Sequence, residues 1–410
     1  MESMSGADEA WGHGASGGYE ELAARFRPIF ARIAATAVER ERDHRLPHAE
    51  IGWLKEAGFT TLRVPQADGG FGVSLPELFG LLVELSAADP NVTNALRSHF
   101  GFTEDVLNAA DPGWRSLWLG RIAARQTIGS GFSEIGDAKA AHYSTAVSRH
   151  GDGWRVNGEK FYTTGSLFAD WINLGARDEQ GEPIGAVVDR RAPGVEVIDD
   201  WDGFGQALTA SGTARFADVA LAPDAVNPFG GRFRYSPAFF QLVHLATLAG
   251  IGRAAAADVA RLVAERRRIY SHGNASAVSA DPQILQVVGR VRGQAYSAGA
   301  IVLHVAHALQ RAHVAQQTGD EAAAARTAAM AELEVNQAVT VISSLVLEAT
   351  TVLFDALGAS AARRSQGLDR HWRNARTITS HNPRIYRERI LGDYAVNGTL
   401  PPGQYRVGTA

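Results

Sequence analysis

The sequence contains no cysteine and has no excess of positive charge, and these absences exclude several classes of protein. Without cysteine, the 410-residue chain has no disulfides, thiolate nucleophiles or cysteine-ligated metal clusters. The formal net charge of −4 provides no basic field for nucleic acid. No apolar run reaches the roughly 18 residues of a membrane span, and the first residues carry no signal-peptide pattern. We therefore expect a cytoplasmic enzyme that binds neither nucleic acid nor membrane and has no metal site.

The pattern of apolar residues divides the chain into regions of different character. A Gly-, Ser- and Ala-rich start is expected to be a disordered leader. Helical spacing follows, then turn-punctuated strand patterns, then long alanine-rich helical segments. The predicted units are the leader, an N-terminal α-helical domain, a middle β-domain and a C-terminal α-helical bundle, at residues 1–18, 19–126, 127–235 and 236–410.

Local signals refine this division. Turns are predicted at residues 151–153 and 157–158, with hairpin strands on either side. Long helices are predicted at about 237–269, 283–317 and 320–357, and each is too long to bury its apolar face alone. We therefore expect them to pack as a bundle and to offer some surface to another subunit.

Short motifs occur in a fixed order along the chain. They read GSGFSE, WRVNGEKFYTTG, TASGTARF, LGAS, LDRHWRNAR and SHNP, at residues 129–134, 154–165, 209–216, 357–360, 368–376 and 380–383. In this order they resemble the acyl-CoA dehydrogenase family, and the resemblance covers nearly everything after residue 19. It implies an α+β fold with an N-terminal α-helical domain, a middle β-barrel-like domain and a C-terminal four-helix bundle that together bind a flavin.

The resemblance also implies which residues contact the flavin. A flavin ring needs hydrogen-bond partners along its pyrimidine edge and at N5, and small hydroxyl residues with nearby backbone amides supply them. The alternatives are a Gly-rich turn for the first motif, a sheet-core position for the tyrosine and ordinary ion pairs for the arginines. The candidate cofactor contacts are Ser130, Phe132, Ser133, Tyr162, Thr163, Thr164, Gly358, Ser360, Arg373 and Arg376.

The sequence lacks the carboxylate that serves as the catalytic base in the dehydrogenases of this family. The family places its catalytic base either at the position matched by Asn382 or on the first helix of the C-terminal bundle. An amide cannot remove a proton from carbon at neutral pH, and residues 237–257 contain no Asp or Glu. The family's FAD-diphosphate motif is also degraded at residues 268–273, which favours FMN, with FAD as the alternative.

Two histidines, His99 and His381, match positions in a monooxygenase branch that resembles the dibenzothiophene-desulfurising enzyme and the sulfur-acquisition proteins. There both face the reactive edge of the flavin, so they are predicted as catalytic residues, and Thr103 and Asn382 as substrate contacts. Histidine titrates near pH 7 and could pass a proton to a flavin hydroperoxide. A satisfied core or surface histidine is the alternative at each position.

The resemblance thus predicts a two-component, flavin-dependent monooxygenase. No Gly-x-Gly-x-x-Gly follows a strand and opens a helix, so reduced FMN is expected from a separate NAD(P)H:flavin reductase. It would react with O2 through a C4a-(hydro)peroxyflavin and oxygenate a small organic substrate, an organosulfur or aromatic compound. A homotetramer is expected from the family.

Three alternatives stay open from the sequence. They are an FAD-dependent acyl-CoA dehydrogenase or oxidase whose base lies elsewhere, a nitrososynthase-like amine N-oxygenase, and a non-catalytic flavin-binding protein.

Overall fold

Seven helices form the N-terminal part of the molecule. The structure, a computed structural model, describes residues 11–12, 14–135, 142–228 and 232–403. The helices are α1 Tyr19–Ala34, α2 Ala37–Arg42, α3 His48–Glu56, α4 Leu75–Ala88, α5 Pro90–Ala95, α6 Arg97–Leu107 and α7 Pro112–Ala123. Their apolar faces join those of the C-terminal helices in one large core.

Capping residues explain where several of these helices begin. At the start of α4, Ser74 and Glu77 form a capping box, in which each side chain accepts the other residue's backbone N–H. The carboxylate of Asp111 caps α7 by accepting two backbone N–H groups. Pro28 lies inside α1, which continues through it, and Gly58 adopts φ +81° shortly after α3 ends.

The middle region is one curled, mostly antiparallel sheet of eight strands. They are β1 Ile128–Gly131, β2 Ala146–His150, β3 Gly153–Lys160, β4 Trp171–Arg177, β5 Pro183–Asp189, β6 Val195–Val197, β7 Ala214–Leu221 and β8 Val226–Pro228. The strand order is β6-β7-β3-β2-β4-β5-β8, and β1 pairs in parallel with β4. Apolar side chains on the inner faces form a separate core.

The two predicted turns in this region have different outcomes. The turn at residues 151–153 is confirmed, because it joins β2 to β3 with Val147 opposite Val156. The turn predicted at residues 157–158 is wrong. Both residues lie inside β3, where the pairing with β7 shifts between Val156 and Gly158. Gly158 has φ +149°, and a Cβ there would overlap Thr145, so glycine serves a bulge at this position.

Five helices complete the chain: α8 Ser236–Glu265, α9 Pro282–Gln317, α10 Glu321–Val352, α11 Asp369–Ser380 and α12 Arg387–Asn397. The first three pack on one another, and α11 packs against α8 and α10. The α+β architecture is therefore as predicted. The first long helix ends four residues before its predicted end, and the third becomes a 3-10 turn after Val352.

Part of the predicted leader is held against the protein. Residues 1–10 and 13 lie outside the described residues. The ring of Trp11, however, lies under the guanidinium groups of Arg253 and Arg292, at 4.8 and 4.5 Å. Ser16 donates to the carboxylate of Glu77 at 2.6 Å. These contacts correct the prediction of disorder for Trp11 and Ser16.

Two helices, Ser236–Glu265 and Glu321–Ala356, are long and apolar enough to span a membrane by length and composition alone. The apolar window of the first is 78% buried inside the protein, as expected of a core helix. For the second the share is 44%.

Candidate active site

The loop after β3 lies against the start of α6. Gly165 adopts φ +80°, and a Cβ there would overlap the backbone carbonyl of Ala95. Only glycine permits both the conformation and the close approach. Thr164 is therefore held beside the N-terminal end of α6, which carries Arg97 and His99.

The first predicted flavin motif is fixed to the same loop. The Ser166 hydroxyl donates to the backbone carbonyl of Ser130 at 2.8 Å. The Phe161 N–H donates to the carbonyl of Ser133 at 3.0 Å. The ring of Phe132 lies 4.2 Å from the guanidinium carbon of Arg232. The structure thus brings both flavin-side motifs to one place.

The hydroxyl of Thr164 belongs to a directed chain of hydrogen bonds. Thr209 donates to the carbonyl of Gln206 at 2.8 Å. Because the Thr209 hydrogen is used in that bond, Ser211 donates to Thr209 at 2.7 Å, and Thr164 donates to Ser211 at 2.7 Å. The free capacity of Thr164 is then that of an acceptor.

Two other predicted contacts differ in exposure. The Thr163 hydroxyl is fully buried and donates to the carbonyl of Gly212 at 2.8 Å, which is a bond of the fold. Tyr162 is 50% exposed at φ +56°, an unusual conformation for a bulky residue. Its ring lies edge-on to Phe161 and Trp201, with centroids 4.8 and 5.8 Å away. Its open face is available to a planar ligand.

His99 is buried on α6 with one nitrogen occupied. Its Nε2 lies 2.7 Å from the carbonyl of Thr60, so Nε2 carries the hydrogen and donates it. Nδ1 has no partner among the described residues and is an acceptor. Burial lowers the pKa of His99 to about 4. His99 is therefore neutral near pH 7, where its Nδ1 accepts a hydrogen bond, and its catalytic role stays a prediction. Thr103 donates to the backbone carbonyl of His99 at 2.9 Å.

His381, just past α11, faces a second histidine that the sequence reading missed. Its ring lies 4.3 Å from that of His244 on α8, edge to face. His244 is 1% exposed, and neither ring nitrogen has a partner in the described part of the chain. Desolvation by the surrounding residues, followed by the charge of Arg97, lowers the pKa of both rings. Both are neutral at pH 7, although the His381 ring remains open to solvent.

Asn382, at the position where the resemblance places the family's carboxylate, belongs to an amide pair. Asn382 donates to the side-chain oxygen of Gln241 at 3.1 Å. Asp105 on α6 is a partly buried carboxyl that accepts the backbone N–H of Phe233, and burial raises its pKa to about 6. It lies within the electrostatic influence of Arg232.

The remaining predicted contacts lie elsewhere or are already paired. Arg373 pairs with Glu41 at 2.9 Å and with Asp369 at 2.8 Å, which does not favour a role in binding phosphate. Arg376 is half-buried, and no carboxylate among the described residues lies within 4 Å.

The glycine-rich turn is far from the histidines. Arg266, just beyond the end of α8, donates to the carbonyl of Leu357 at 2.6 Å and thereby holds the turn that contains Gly358 and Ser360. Helix rise places that end about 30 Å from His244. The turn therefore cannot contact the same flavin ring from this chain.

These groups fit a flavin. The open aromatic face of Tyr162 suits a planar ring. Beside it, Thr164 offers an acceptor, and the indole N–H of Trp201, which has no partner among the described residues, offers a donor. Arg376 offers a cation for a phosphate. No cluster of three metal-ligating side chains occurs within the described ranges.

The residues that sequence reasoning missed are His244, Arg97, Arg232 and Asp105. A single polar residue inside an apolar helical run, as at His244, is the one signal that would have pointed to the first of them.

Comparisons with known proteins identify the family to which the chain belongs. Residues 19–126, 133–219 and 242–383 match the N-terminal, middle and C-terminal domains of acyl-CoA dehydrogenase. The probable FMNH2-dependent monooxygenase SfnC of Pseudomonas putida is 28% identical over 389 residues, covering 92% of this chain and 94% of its own.

Two solved structures extend the comparison. FMN-bound TdsC from Paenibacillus sp. A11-2 has a TM-score of 0.85 at 26% identity, covering 94% of this chain and 99% of its own. Methanesulfinate monooxygenase MsuC from Pseudomonas fluorescens has a TM-score of 0.84 at 25% identity, covering 93% and 98%. The predictions of a flavin-dependent monooxygenase and of FMN as its cofactor are confirmed. The chain therefore belongs to the acyl-CoA dehydrogenase family, within its branch of FMN-dependent monooxygenases.

Proposed function

We propose that this monooxygenase is the oxygenase component of a two-component system, and that it oxygenates a small organosulfur compound. Reduced FMN comes from a separate NAD(P)H:flavin reductase. The sulfur substrate is supported by the names of its relatives, because TdsC is a dibenzothiophene monooxygenase and MsuC a methanesulfinate monooxygenase.

One observation carries the proposal: the position of the dehydrogenase base holds an amide pair beside neutral histidines. Asn382 and Gln241 bond to each other, and His244 and His381 face one another close by. Neither amide can take a proton from carbon, and the lowered pKa of His244 and of His381 makes both rings weak bases. All of them form hydrogen bonds to an oxygen-bearing group without repelling negative charge.

Each side chain has a defined task in the proposal. Bound reduced FMN supplies the electrons for reducing one oxygen atom of O2 to water while the other is transferred. Nδ1 of His99 accepts a hydrogen bond from the reacting oxygen species, and Thr164 accepts one from the flavin. His381 contacts the substrate from the opposite side together with Asn382, and the rings of Phe132 and Phe240 exclude water.

The assembly we propose is a homotetramer in the cytoplasm. Apolar side chains on the outer faces of α9 and α10 are exposed, with Leu285, Tyr296, Val314 and Val341 each between 46% and 53%. Such surface favours contact with other copies. The turn at Gly358 and Ser360, remote from its own histidines, then contacts the cofactor of a neighbouring subunit. Light scattering of the purified protein measures the number of copies.

The test is anaerobic titration with photoreduced FMN and FAD, followed by stopped-flow mixing with oxygenated buffer. We expect tighter binding of reduced FMN than of FAD, and a transient absorbing species before oxidised flavin returns. In His99→Ala and His381→Ala the lifetime of this species falls about tenfold or more, since each variant loses a hydrogen bond to the reacting groups. His304→Ala, an exposed histidine on α9, serves as the control.

Direct return of oxidised FMN in the wild type, together with flavin bleaching by an acyl-CoA thioester, would overturn the proposal. Asp105 would then be the first residue to test as a base.

A further inference from the structure

Arg97 is a cation without a counterion beside the histidines. It is half-buried at the first residue of α6. Its Nε donates to the backbone carbonyl of Phe240 at 3.1 Å, and its guanidinium carbon lies 4.8 Å from the centroid of the Phe240 ring. No carboxylate among residues that the structure describes lies within 4 Å of it. Burial, followed by the nearby charge of Arg232, lowers the pKa of Arg97 to about 9. A desolvated cation of this kind favours a negatively charged partner.

Arg232 contacts the same aromatic ring. Its guanidinium carbon lies 4.6 Å from the centroid of the Phe240 ring and 4.2 Å from that of Phe132. Asp105 is the carboxyl that acts on it electrostatically, without an ion pair within 4 Å. Arg232 also acts electrostatically on Arg97, so two guanidinium groups lie beside the Phe240 ring, and Asp105 acts on Arg232.

The groups around Arg97 complete a small polar site. The charge of Arg97 acts on both His244 and His381, so these two rings lie within its electrostatic reach. The ring nitrogens of His244 have no partner in the described chain. At Gly101 a Cβ would overlap the Phe240 ring, so that ring fills the space between α6 and α8.

We propose that the substrate carries an oxyanion, of the sulfinate type, which is bound by the guanidinium of Arg97 with Arg232 as a second cation. This rests on the proposed function and names the substrate class of that site. Guanidinium presents parallel N–H donors that match two oxygens of one oxyanion. The same donors also bind sulfonate or carboxylate, so the experiment has to distinguish recognition of the negative charge from recognition of the sulfur atom.

The reaction balances for a sulfinate. Its sulfur lone pair forms an S–O bond to one atom of O2, and the O–O bond breaks. The other oxygen leaves as water, and reduced FMN supplies two electrons and two protons: R–SO2⁻ + O2 + FMNH2 gives R–SO3⁻ + FMN + H2O. The sulfur is oxidised by two electrons. The product keeps the negative charge, so Arg97 pairs with the ligand throughout.

Calorimetry on the FMN-loaded protein tests the inference with three ligands of similar size. These are benzenesulfinate, benzoate, which keeps the charge but lacks sulfur, and neutral methyl phenyl sulfone. We expect the wild type to bind the two anions at least tenfold more tightly than the sulfone. Arg97→Gln should weaken the binding of both anions at least tenfold and leave the affinity for the sulfone unchanged. Arg97→Lys should recover part of the lost affinity. Arg149→Gln is the matched control, because Arg149 also lies over a ring, that of Trp154, at 4.4 Å on β2.

Two results would overturn the inference: equal wild-type affinity for sulfone and sulfinate, or unchanged sulfinate affinity in Arg97→Gln. The wild-type comparison needs no variant, so it decides even if Arg97→Gln does not fold. Failure of the proposed function looks different. Neutral sulfur compounds oxygenated equally well by wild type and Arg97→Gln refute only the oxyanion. Arg97-dependent binding of benzenesulfinate, with all reduced FMN ending as hydrogen peroxide, supports the anion site and refutes the oxygenation.

Discussion

At the scale of single residues, the site is defined by which side chains already donate their hydrogen atoms in hydrogen bonds within the protein. His99 donates its only ring hydrogen to Thr60, and Thr164 donates its own into the chain through Ser211. Both therefore present acceptors to a ligand. Reduced flavin carries a hydrogen on N5 and oxidised flavin does not, so an acceptor at this place favours the reduced form.

Ser211→Ala tests this polarity. Without Ser211, the Thr164 hydroxyl is free to rotate and donate to oxidised flavin. One neutral hydrogen bond is worth about 1 kcal/mol, so the preference for reduced over oxidised FMN should fall by about five- to tenfold. Anaerobic titrations of both redox forms measure it. Ser297→Ala on α9 is the control, and an unchanged preference in Ser211→Ala would contradict the proposed role of Thr164.

Sequence reasoning at this scale proposes candidates where a motif fixes the position. Thr164 and His381 were proposed because each lies in a recognisable string of residues. Arg97 and His244 were missed because their importance comes from what they lack: a carboxylate in one case, a hydrogen-bond partner in the other. Only packing reveals an absent partner. The protonation state of His99 could not be predicted from the sequence for the same reason, since its pKa depends on burial that composition does not show.

At the scale of elements, close backbone contacts set the distance between the sheet and the helices. Gly165 touches Ala95 on α5, immediately before α6. The side chain of Asn374 on α11 accepts the backbone N–H of Gln206 at 2.5 Å. The loop that bears Thr164 is thereby tied to the two helices that carry the histidines.

Gly165→Ala should separate these elements. A Cβ in the left-handed conformation costs about 1–2 kcal/mol, and the overlap with Ala95 adds about 1–3 kcal/mol. Gly181→Ala is the matched control, because it has φ +89° and no atom within 4 Å of the added Cβ. We expect urea unfolding to show a larger loss for Gly165→Ala, together with weaker FMN binding that Gly181→Ala does not share. An equal loss of unfolding free energy in the two variants would contradict a role for the contact between Gly165 and Ala95.

Element prediction succeeded where periodicity is long. The helices at 283–317 and 320–357 were found within a few residues at most ends, because many turns repeat the same apolar spacing. The prediction failed at residues 157–158, where Asn-Gly is the commonest hairpin signal. Glycine is required at position 158 because a Cβ there would overlap Thr145, and no hairpin turn forms.

At the scale of the whole molecule, folding keeps several histidines neutral in the interior. Burial lowers the pKa of His99 and of His371 to about 4, and these residues are 1% and 4% exposed. The unfolded value is about 6.5. The stability that this provides is full above pH 6.5 and is lost as the pH falls toward 4, because only the unfolded chain takes up the protons.

The free energy of unfolding should therefore decrease below pH 6.5. Each histidine contributes up to about 1.4 kcal/mol per pH unit. Urea unfolding of the flavin-free protein at pH 5, 6, 7 and 8 measures the slope. His99→Gln keeps a side-chain N–H for Thr60 and should reduce the slope by about one proton, whereas His304→Gln should not. A slope that is the same in His99→Gln and the wild type would place the His99 pKa near its ordinary value.

The central claim is that one oxygen atom of O2 enters an organosulfur substrate at the expense of reduced FMN. The most direct measurement is product mass after anaerobic loading with reduced FMN and benzenesulfinate and mixing with ¹⁸O2. The account predicts benzenesulfonate with one ¹⁸O atom, in yield close to the reduced FMN consumed. The account would be contradicted if benzenesulfinate were recovered unlabelled with a full equivalent of hydrogen peroxide, and if neutral sulfoxides tested in the same way were also recovered unlabelled.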